Sequence, residues 1–359
     1  SLLEICLRCA HPFGTRLVFV GDPAQLPPVG EASSPVFGLK RACTAELQEV
    51  VRHQGPVLHL ATGIRNGTLP CRRPPALPAV RDSSGQVVCL TPQRWLEQAQ
   101  AALRRSVELD NPDHARLLCY TNRSLERLVP LARRALHGDM ADQLSVLPGE
   151  VLISRSAVMA PACTGGEEAA EAAAEDPDMV LGSNRELVVR DVEPVRFDLA
   201  ELGISSADLG GDLTVPVVDT LKAVVDAGET QLALRLLPEA GSSGRRDVDA
   251  VLQRLRQLAK QATADNAKSE GKALWRRYFL LRDAFASLGP AAVLTVHRSQ
   301  GSTFGEVFVD GDVFWPSDPV LRQQLVYVAV SRASQAVTLM AGADNPGDRA
   351  SWERWFRSC

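Results

Sequence analysis

The stretch from Val293 to Asp310, VLTVHRSQGSTFGEVFVD, constrains the fold more than any other. It opens as an apolar strand, breaks at Thr295, and passes through the polar turn His297-Arg298-Ser299-Gln300-Gly301-Ser302. A second apolar strand, Val307-Phe308-Val309, then ends at Asp310. A strand that stops in hydroxyls, an imidazole, an amide and a glycine presents polar groups at its carboxyl end. In open α/β sheets ligands bind at that end. On composition alone, an ordinary loop between two buried strands fits as well, and the rest of the chain has to decide.

A second segment has the same grammar. Leu17-Val18-Phe19-Val20 reads as a short buried parallel strand. It runs into Gly21-Asp22-Pro23-Ala24-Gln25-Leu26-Pro27-Pro28-Val29-Gly30. Gly21 permits a close turn, Asp22 and Gln25 offer a carboxylate and an amide, and Pro27-Pro28 stiffen the exit. The competing reading is a rigid Pro-rich turn with no ligand. Farther on, Leu47 to Gln54 carries Arg52, an arginine that by itself reads as a surface residue. A helix-like segment follows to Ile64-Arg65-Asn66-Gly67, where Arg65 reads equally well as a helix C-cap charge. Leu117-Leu118-Cys119-Tyr120-Thr121-Asn122 is a buried strand ending in polar residues before a helix to Leu136, a pattern that also serves as a plain N-cap. Gln323 to Ala333, QQLVYVAVSRA, leads into the strand Val337-Thr338-Leu339-Met340.

Read together, these spellings resemble superfamily-one DNA helicases of the RecD/Dda-like branch. T-x-H-x-S-Q-G-S-T is similar to the fifth motif, G-D-x-x-Q-L-P-P-V to the third, and Y-V-A-x-S-R-A to the sixth, in the family's order. The resemblance implies an α/β fold of RecA-like parallel-sheet lobes with an inserted small SH3-like β-barrel. It implies ATP between the lobes, held by Gly21, Asp22, Gln25, Arg52, Gln300, Gly301 and Arg332. Gln25, Arg52 and Arg332 are the catalytic candidates: the glutamine senses the terminal phosphate and the arginines reach the γ-phosphate from the second lobe. Arginine suits that task because its planar fork stays charged and pairs bidentately with phosphate oxygens. The resemblance implies that Leu47 to Arg52 is a strand ending in that arginine; the family more often has Gln directly after it, whereas His53 stands before Gln54 here. Thr295, His297, Ser299, Tyr120, Thr121 and Asn122 are the implied nucleic-acid contacts. Asn184, Glu186 and Val189 match the barrel pattern x-N-x-E-x-x-V.

Length and pattern set the organisation. At 359 residues the chain accommodates two or three domains. The expected division is 1–45 as the end of a first lobe, 46–137 as the first part of a second lobe, 138–245 as the barrel, 246–289 as a helical return, and 290–359 as the rest of the second lobe. Pro70 to Pro78 reads as a Pro-rich connector, and 163–178 as an acidic low-complexity loop. Val248–Ala273 reads as one helix and Trp275–Phe285 as another, with Trp275, Tyr278, Phe279, Leu281 and Phe285 as core rather than a base-stacking platform. Trp352, Trp355 and Phe356 mark an amphipathic closing helix. The net charge of −4 gives no global basic signature, which argues only weakly against DNA, since a basic groove can sit on an acidic protein. No apolar run reaches the roughly 18 residues of a membrane span. Cys6 and Cys9 have C-x-x-C spacing but no second pair follows, so no metal site is assigned. Cys6 and Cys9 fall with Leu2, Leu3 and Ile5 on the apolar face of a helix over residues 1–10 and read as buried free thiols of a reducing cytoplasm.

One departure matters. No G-x-x-x-x-G-K-[ST] occurs, nor the acidic pair that holds Mg2+. The expectation is a C-terminal fragment of an ATP-driven, 5'-to-3' translocase on single-stranded DNA that does not hydrolyse ATP by itself, with the Mg2+ ligands upstream of Ser1. The alternative is an ATPase-dead nucleic-acid-binding or scaffold remnant. The resemblance further implies replication or recombination proteins as partners, a monomer, and the cytoplasm.

Overall fold

The computed structural model describes residues 2–28, 31, 33–40, 42–47, 51–69, 71–164, 178–211 and 213–358. Val29 and Gly30 of the third-motif spelling, residues 48–50 of the expected strand before Arg52, Pro70, and 165–177 of the acidic loop lie outside the described residues. The chain divides into two compact units, residues 1–136 with 292–359, and residues 137–291.

In chain order the first unit begins with α1 (Leu2–Ala10) and α2 (Gly55–Arg65), then β1 (Leu77–Arg81), β2 (Gln86–Leu90), α3 (Pro92–Glu108), β3 (Ala115–Cys119) and α4 (Asn122–His137). The second unit holds α5 (Met140–Gln143), β4 (Val151–Ser154), β5 (Val158–Met159), β6 (Met179–Leu181), β7 (Glu186–Asp198), β8 (Val217–Ala227), β9 (Thr230–Arg235), α6 (Ser243–Ala264), α7 (Lys268–Asp283) and β10 (Leu288–Pro290). The chain returns to the first unit through β11 (Val293–Thr295), β12 (Phe304–Val309), α8 (Pro319–Val330), β13 (Ala333–Met340) and α9 (Pro346–Ser358).

The first unit is built on a six-stranded sheet in the order β1-β2-β13-β12-β3-β11. All neighbours are parallel except β1, which joins β2 antiparallel. All five residues of β3 are buried, as a strand covered on both faces requires. On one face α3 lays down Trp95, Ala99, Ala102, Leu103 and Ser106 at helical spacing. They pack with Leu117, Leu128, Val293 and Phe308. The Trp95 indole N–H donates to the Thr338 carbonyl at 3.1 Å, so the largest side chain of this core leaves its polar atom satisfied. This topology places the carboxyl ends of β11, β3 and β12 side by side.

In the second unit, a five-stranded antiparallel sheet runs β10-β4-β7-β8-β9. The expected closed barrel meets a sheet with two edge strands, tied at one parallel bridge, Leu236↔Ala286. There Ala286 N–H donates to Arg235 O at 2.7 Å and Leu237 N–H to Ala286 O at 2.9 Å. The helical return begins at Ser243 and ends in a strand, β10, rather than staying helical to 289.

Several expectations are corrected. Leu17–Val20 forms no strand: Val18 and Val20 are 84% and 93% exposed, and no described strand pairs with them. An apolar run becomes a buried strand only when a ladder partner and a covering layer exist. The α1 helix forms, but its apolar face (Leu2, Ile5, Leu7) is exposed, and Cys6 and Cys9 are not buried. The single helix over 248–273 is two, broken at Asn266, whose φ of 59° ends the first helix. Leu281 and Phe285 enter the core with Trp275 and Tyr278 against it, but Phe279 is exposed. The Pro-rich connector is shorter than its composition suggests, since Leu77 already pairs with Cys89.

Candidate functional site

Within the first unit, segments far apart in sequence converge on two clusters, one at the amino ends of β12 and β13 and one where β3, β11 and β12 end. The first is cationic. Arg332 stands in the turn after α8, 2% exposed. Its fork spreads over neutral acceptors: Nε to Val328 O at 3.1 Å, Nη1 to Ser302 O at 3.3 Å, and Nη2 to Ser331 Oγ at 3.0 Å. Arg52 reaches the same turn, with Nη1 to Ser331 O at 3.0 Å and Nε to Thr303 Oγ1 at 2.8 Å. Burial and the neighbouring Arg52 charge push the Arg332 guanidinium down to about 10, against partial opposition from Tyr327 and Asp22. His53, buried beside them, leaves its Nδ1 without a partner. Burial, then Arg52 and Arg332, hold its imidazole below the ordinary range. Two guanidiniums and a neutral imidazole packed together are a place where an anion would be stabilised.

The loop from Gly21 to Pro28 lies against this cluster. Asp22 Oδ1 accepts from Ala24 N–H at 3.0 Å, and Gln25 N–H closes the turn onto Asp22 O at 3.0 Å. Asp22 Oδ2 is held by Arg65 Nη1 at 2.8 Å and the Tyr327 hydroxyl at 3.1 Å. Arg65, read from sequence as a possible C-cap charge, is instead the partner of Asp22. Gln25 reaches Asp22 Oδ2 at 3.5 Å. Gln300 donates to Leu26 O at 3.4 Å, joining the two glutamine-bearing turns. Gly21 packs under Phe37, where an added Cβ would sit 3.1 Å from the ring. Gly301, at φ 88°, is open to solvent at the apex of its turn.

The second cluster lies where β3, β11 and β12 end. The rings of Tyr120 and His297 stand 6.2 Å apart, tilted by 32°, and burial lowers the His297 pKa, so the imidazole is neutral near pH 7. Asn122 opens α4 and is exposed. Thr121 caps α4, accepting from Ser124 N–H at 3.2 Å. Two expected contacts are corrected. Ser299 is fully buried and donates its hydroxyl to Val296 O at 2.9 Å, so it holds the turn together instead of facing a ligand. Thr295 is buried too, its carbonyl accepting from Arg298 and Ser299 N–H at 2.9 and 3.1 Å. Sequence reading missed Tyr327, Thr303 and His53 as members of the first cluster, and Asp310, Asp312 and Arg127 beside the second. A tyrosine in a helix or an aspartate after a strand carries no signal until the fold supplies its partner.

No group of His, Cys, Asp and Glu among the described residues is arranged to hold a metal ion. No described helix is long and apolar enough to cross a membrane.

Residues 290–340 match the UvrD-like helicase C-terminal domain. The chain is 24% identical over 340 residues to the ATP-dependent DNA helicase dda of Enterobacteria phage T4, an alignment spanning 92% of this chain and 70% of that protein. Among solved structures, the Pif1 helicase from Candida albicans is similar with a TM-score of 0.32 and 14% identity, covering 94% of this chain and 68% of that one. A second, described as the basis of unwinding at forked duplex DNA by two coordinating Pif1 helicases, has a TM-score of 0.28 and 13% identity over 86% of this chain and 54% of that one.

Proposed function

We propose, from the chain's kinship with the C-terminal portion of superfamily-one DNA helicases, that it supplies the arginine-bearing half of an ATP site and a face for single-stranded DNA. The single observation that carries this reading is the meeting of Arg52, Arg332 and the Asp22–Gln25 turn, drawn from three distant segments, around a cationic cluster with an unpartnered buried imidazole. That donor set fits a polyphosphate: planar forks for oxygens, one more N–H or acceptor at His53, and a glutamine beside them. In phosphoryl transfer the protein's share is positioning and charge neutralisation. Arg52 and Arg332 would bind γ-phosphate oxygens, and Gln25 would orient beside them. The sheet's other polar edge, Tyr120, Asn122 and His297, would meet the strand. Mg2+ does not fit the described residues, so no step is assigned to it here.

The finer reading follows the family: 5'-to-3' translocation with ATP closing this lobe on another, and an SH3-like barrel in the second unit carrying Asn184, Glu186 and Val189. The bridge between Leu236 and Ala286 supports a sheet curling toward closure. Without a G-x-x-x-x-G-K-[ST] segment, these 359 residues are expected to bind and not to turn over.

The test is a titration of fluorescein-labelled oligo(dT) by anisotropy at rising salt, with tripolyphosphate binding by calorimetry on the wild type, Arg52→Ala and Arg332→Ala. Salt-sensitive single-strand binding, with polyphosphate binding lost in both variants, is the expected result. No oligo(dT) binding at low salt would sink the reading. Oligo(dT) binding with polyphosphate ignored would transfer the case to a nucleotide-independent scaffold.

A further inference from the structure

The turn between β3 and α4 looks like a ready anion site, since backbone N–H groups open a helix there. It is already taken. Asp312, fully buried in the turn after β12, accepts Tyr120 N–H on Oδ1 at 2.8 Å and Thr121 N–H on Oδ2 at 2.9 Å. The Thr121 hydroxyl donates to the same Oδ2 at 2.9 Å. Asp312 is itself fixed from behind, its N–H donating to Asp310 Oδ1 at 3.0 Å, and Asp310 pairs with Arg127 of α4. Asp310 N–H in turn donates to Leu118 O at 2.8 Å, the last ladder bond before the turn. A phosphate cannot use N–H groups that a buried carboxylate occupies, and that carboxylate's charge repels one.

We propose that Asp312 is a positioning residue for the nucleic-acid face, an inference that rests on the single-strand reading above. By filling both N–H groups and drawing the Thr121 hydroxyl inward, it sets the turn so that the Tyr120 ring, beside His297, and the exposed Asn122 side chain meet the strand. Thr121 is then an internal strut rather than a strand contact. The contacts from this turn go to bases and sugars, and the phosphates pass elsewhere.

The consequences are measurable on the full chain. Asp312→Asn puts an amide N–H against one of the two backbone N–H donors, and Thr121→Val removes the hydroxyl arm together with its cap on Ser124 N–H. Each weakens oligo(dT) binding, Asp312→Asn by about tenfold, the loss that follows from one buried acceptor turned into a donor. The slope of log affinity against log salt stays at the wild-type value, because no phosphate contact is removed. The double variant binds no more weakly than Asp312→Asn, because both act through one contact. A general loss of structure would instead add the two effects. Variants that fold and bind as the wild type overturn the proposal, as does additivity or a flattened salt slope. If Asp312→Asn fails to fold, Thr121→Val decides: weaker binding supports the role and unchanged binding overturns it. A wild type that does not bind oligo(dT) removes the single-strand reading and this inference together. Wild-type binding with indifferent variants removes this inference alone.

Discussion

The Tyr327 hydroxyl donates to Asp22 at 3.1 Å and accepts from Arg65 Nη1 at 2.9 Å, so one phenol on α8 bridges an acid and a base from two other segments. Asp22 belongs to the turn carrying Gln25, and Tyr327 precedes Arg332 on the same helix-turn segment. The bridge therefore couples the glutamine turn to the helix that delivers the buried arginine. Burial raises the Tyr327 pKa, which keeps the hydroxyl protonated and able to donate. The Arg65–Asp22 ion pair, with Arg65 36% exposed, contributes little by itself.

Tyr327→Phe removes only the oxygen. It is expected to lower stability by about 1 kcal/mol in urea unfolding, the ordinary worth of a hydrogen bond. Combined with Asp22→Asn it should lose less than the sum of the two single losses, since the variants share the contact. Strict additivity would mean that the bridge is not formed in solution.

Much of this was legible in the chain's spelling, and for definable reasons. The strand-turn-strand at Val293–Asp310 reads true because each half is apolar and each turn residue is polar or glycine, so local pattern and tertiary demand agree. Arg52 stands beside Arg332, and the Gln300 side chain reaches Leu26 O of the turn that carries Gln25. Leu17–Val20 misleads because a strand is a property of its partners, and β propensity records only compatibility with a sheet. The break at Asn266 is hidden because helical periodicity continues on both sides of it. Ser299 and Thr121 carry hydroxyls in the right place by spelling, yet the first turns inward to Val296 and the second to Asp312. A sequence gives the residue type at a turn and not the side of the turn it faces.

Trp95 tests the core beneath the site. It is fully buried between α3 and the sheet, edge-on to Phe308 with ring centroids 6.1 Å apart, and bonded to Thr338 O. Trp95→Ala is expected to cost roughly 3–5 kcal/mol, combining lost transfer and a residual cavity. Trp95→Phe should cost less, though it removes the indole bond to the Thr338 carbonyl. Chemical unfolding monitored by far-UV circular dichroism separates them. Equal losses would show that the indole N–H, and not the volume, governs this core.

Arg332 poses the reverse question, of a residue kept at some cost to stability. Its guanidinium is buried, pushed down to about 10, and bonded to carbonyls and a hydroxyl, while Asp22, the acid that bears on it, is tied to Arg65 and Tyr327. Removing a buried cation that lacks a dedicated counter-ion is often neutral or stabilising when a side chain of similar volume replaces it. Arg332→Met is expected to melt within a few degrees of the wild type, or above it, and to lose the rise in Tm that tripolyphosphate gives the wild type. A large drop in Tm without ligand would mark the arginine as a structural member of the turn.

His53 should make the first unit acid-sensitive. Its pKa is lowered from 6.5 by burial, then by Arg52, then by Arg332. The folded state therefore resists the proton that the unfolded chain accepts. The unfolded state binds more protons across the window from 6.5 down to the lowered folded value, and stability falls as pH falls through that window. Above that window both states are neutral and the effect is absent. His297, lowered by burial, acts in the same direction. Thermal melts from about pH 7.5 to about pH 5.5, a range spanning the ordinary imidazole pKa, should show a falling Tm in the wild type, a shallower fall in His53→Gln, and a shallower one still when His297→Gln is added. The substituted amide cannot take the proton and so removes the linkage, whatever it costs in packing at neutral pH. An unchanged slope in His53→Gln would mean that the imidazole is not held against the two arginines. A polyphosphate bound between those arginines would reverse part of the effect, because an anion favours the protonated ring, and the wild-type profile should then flatten in its presence.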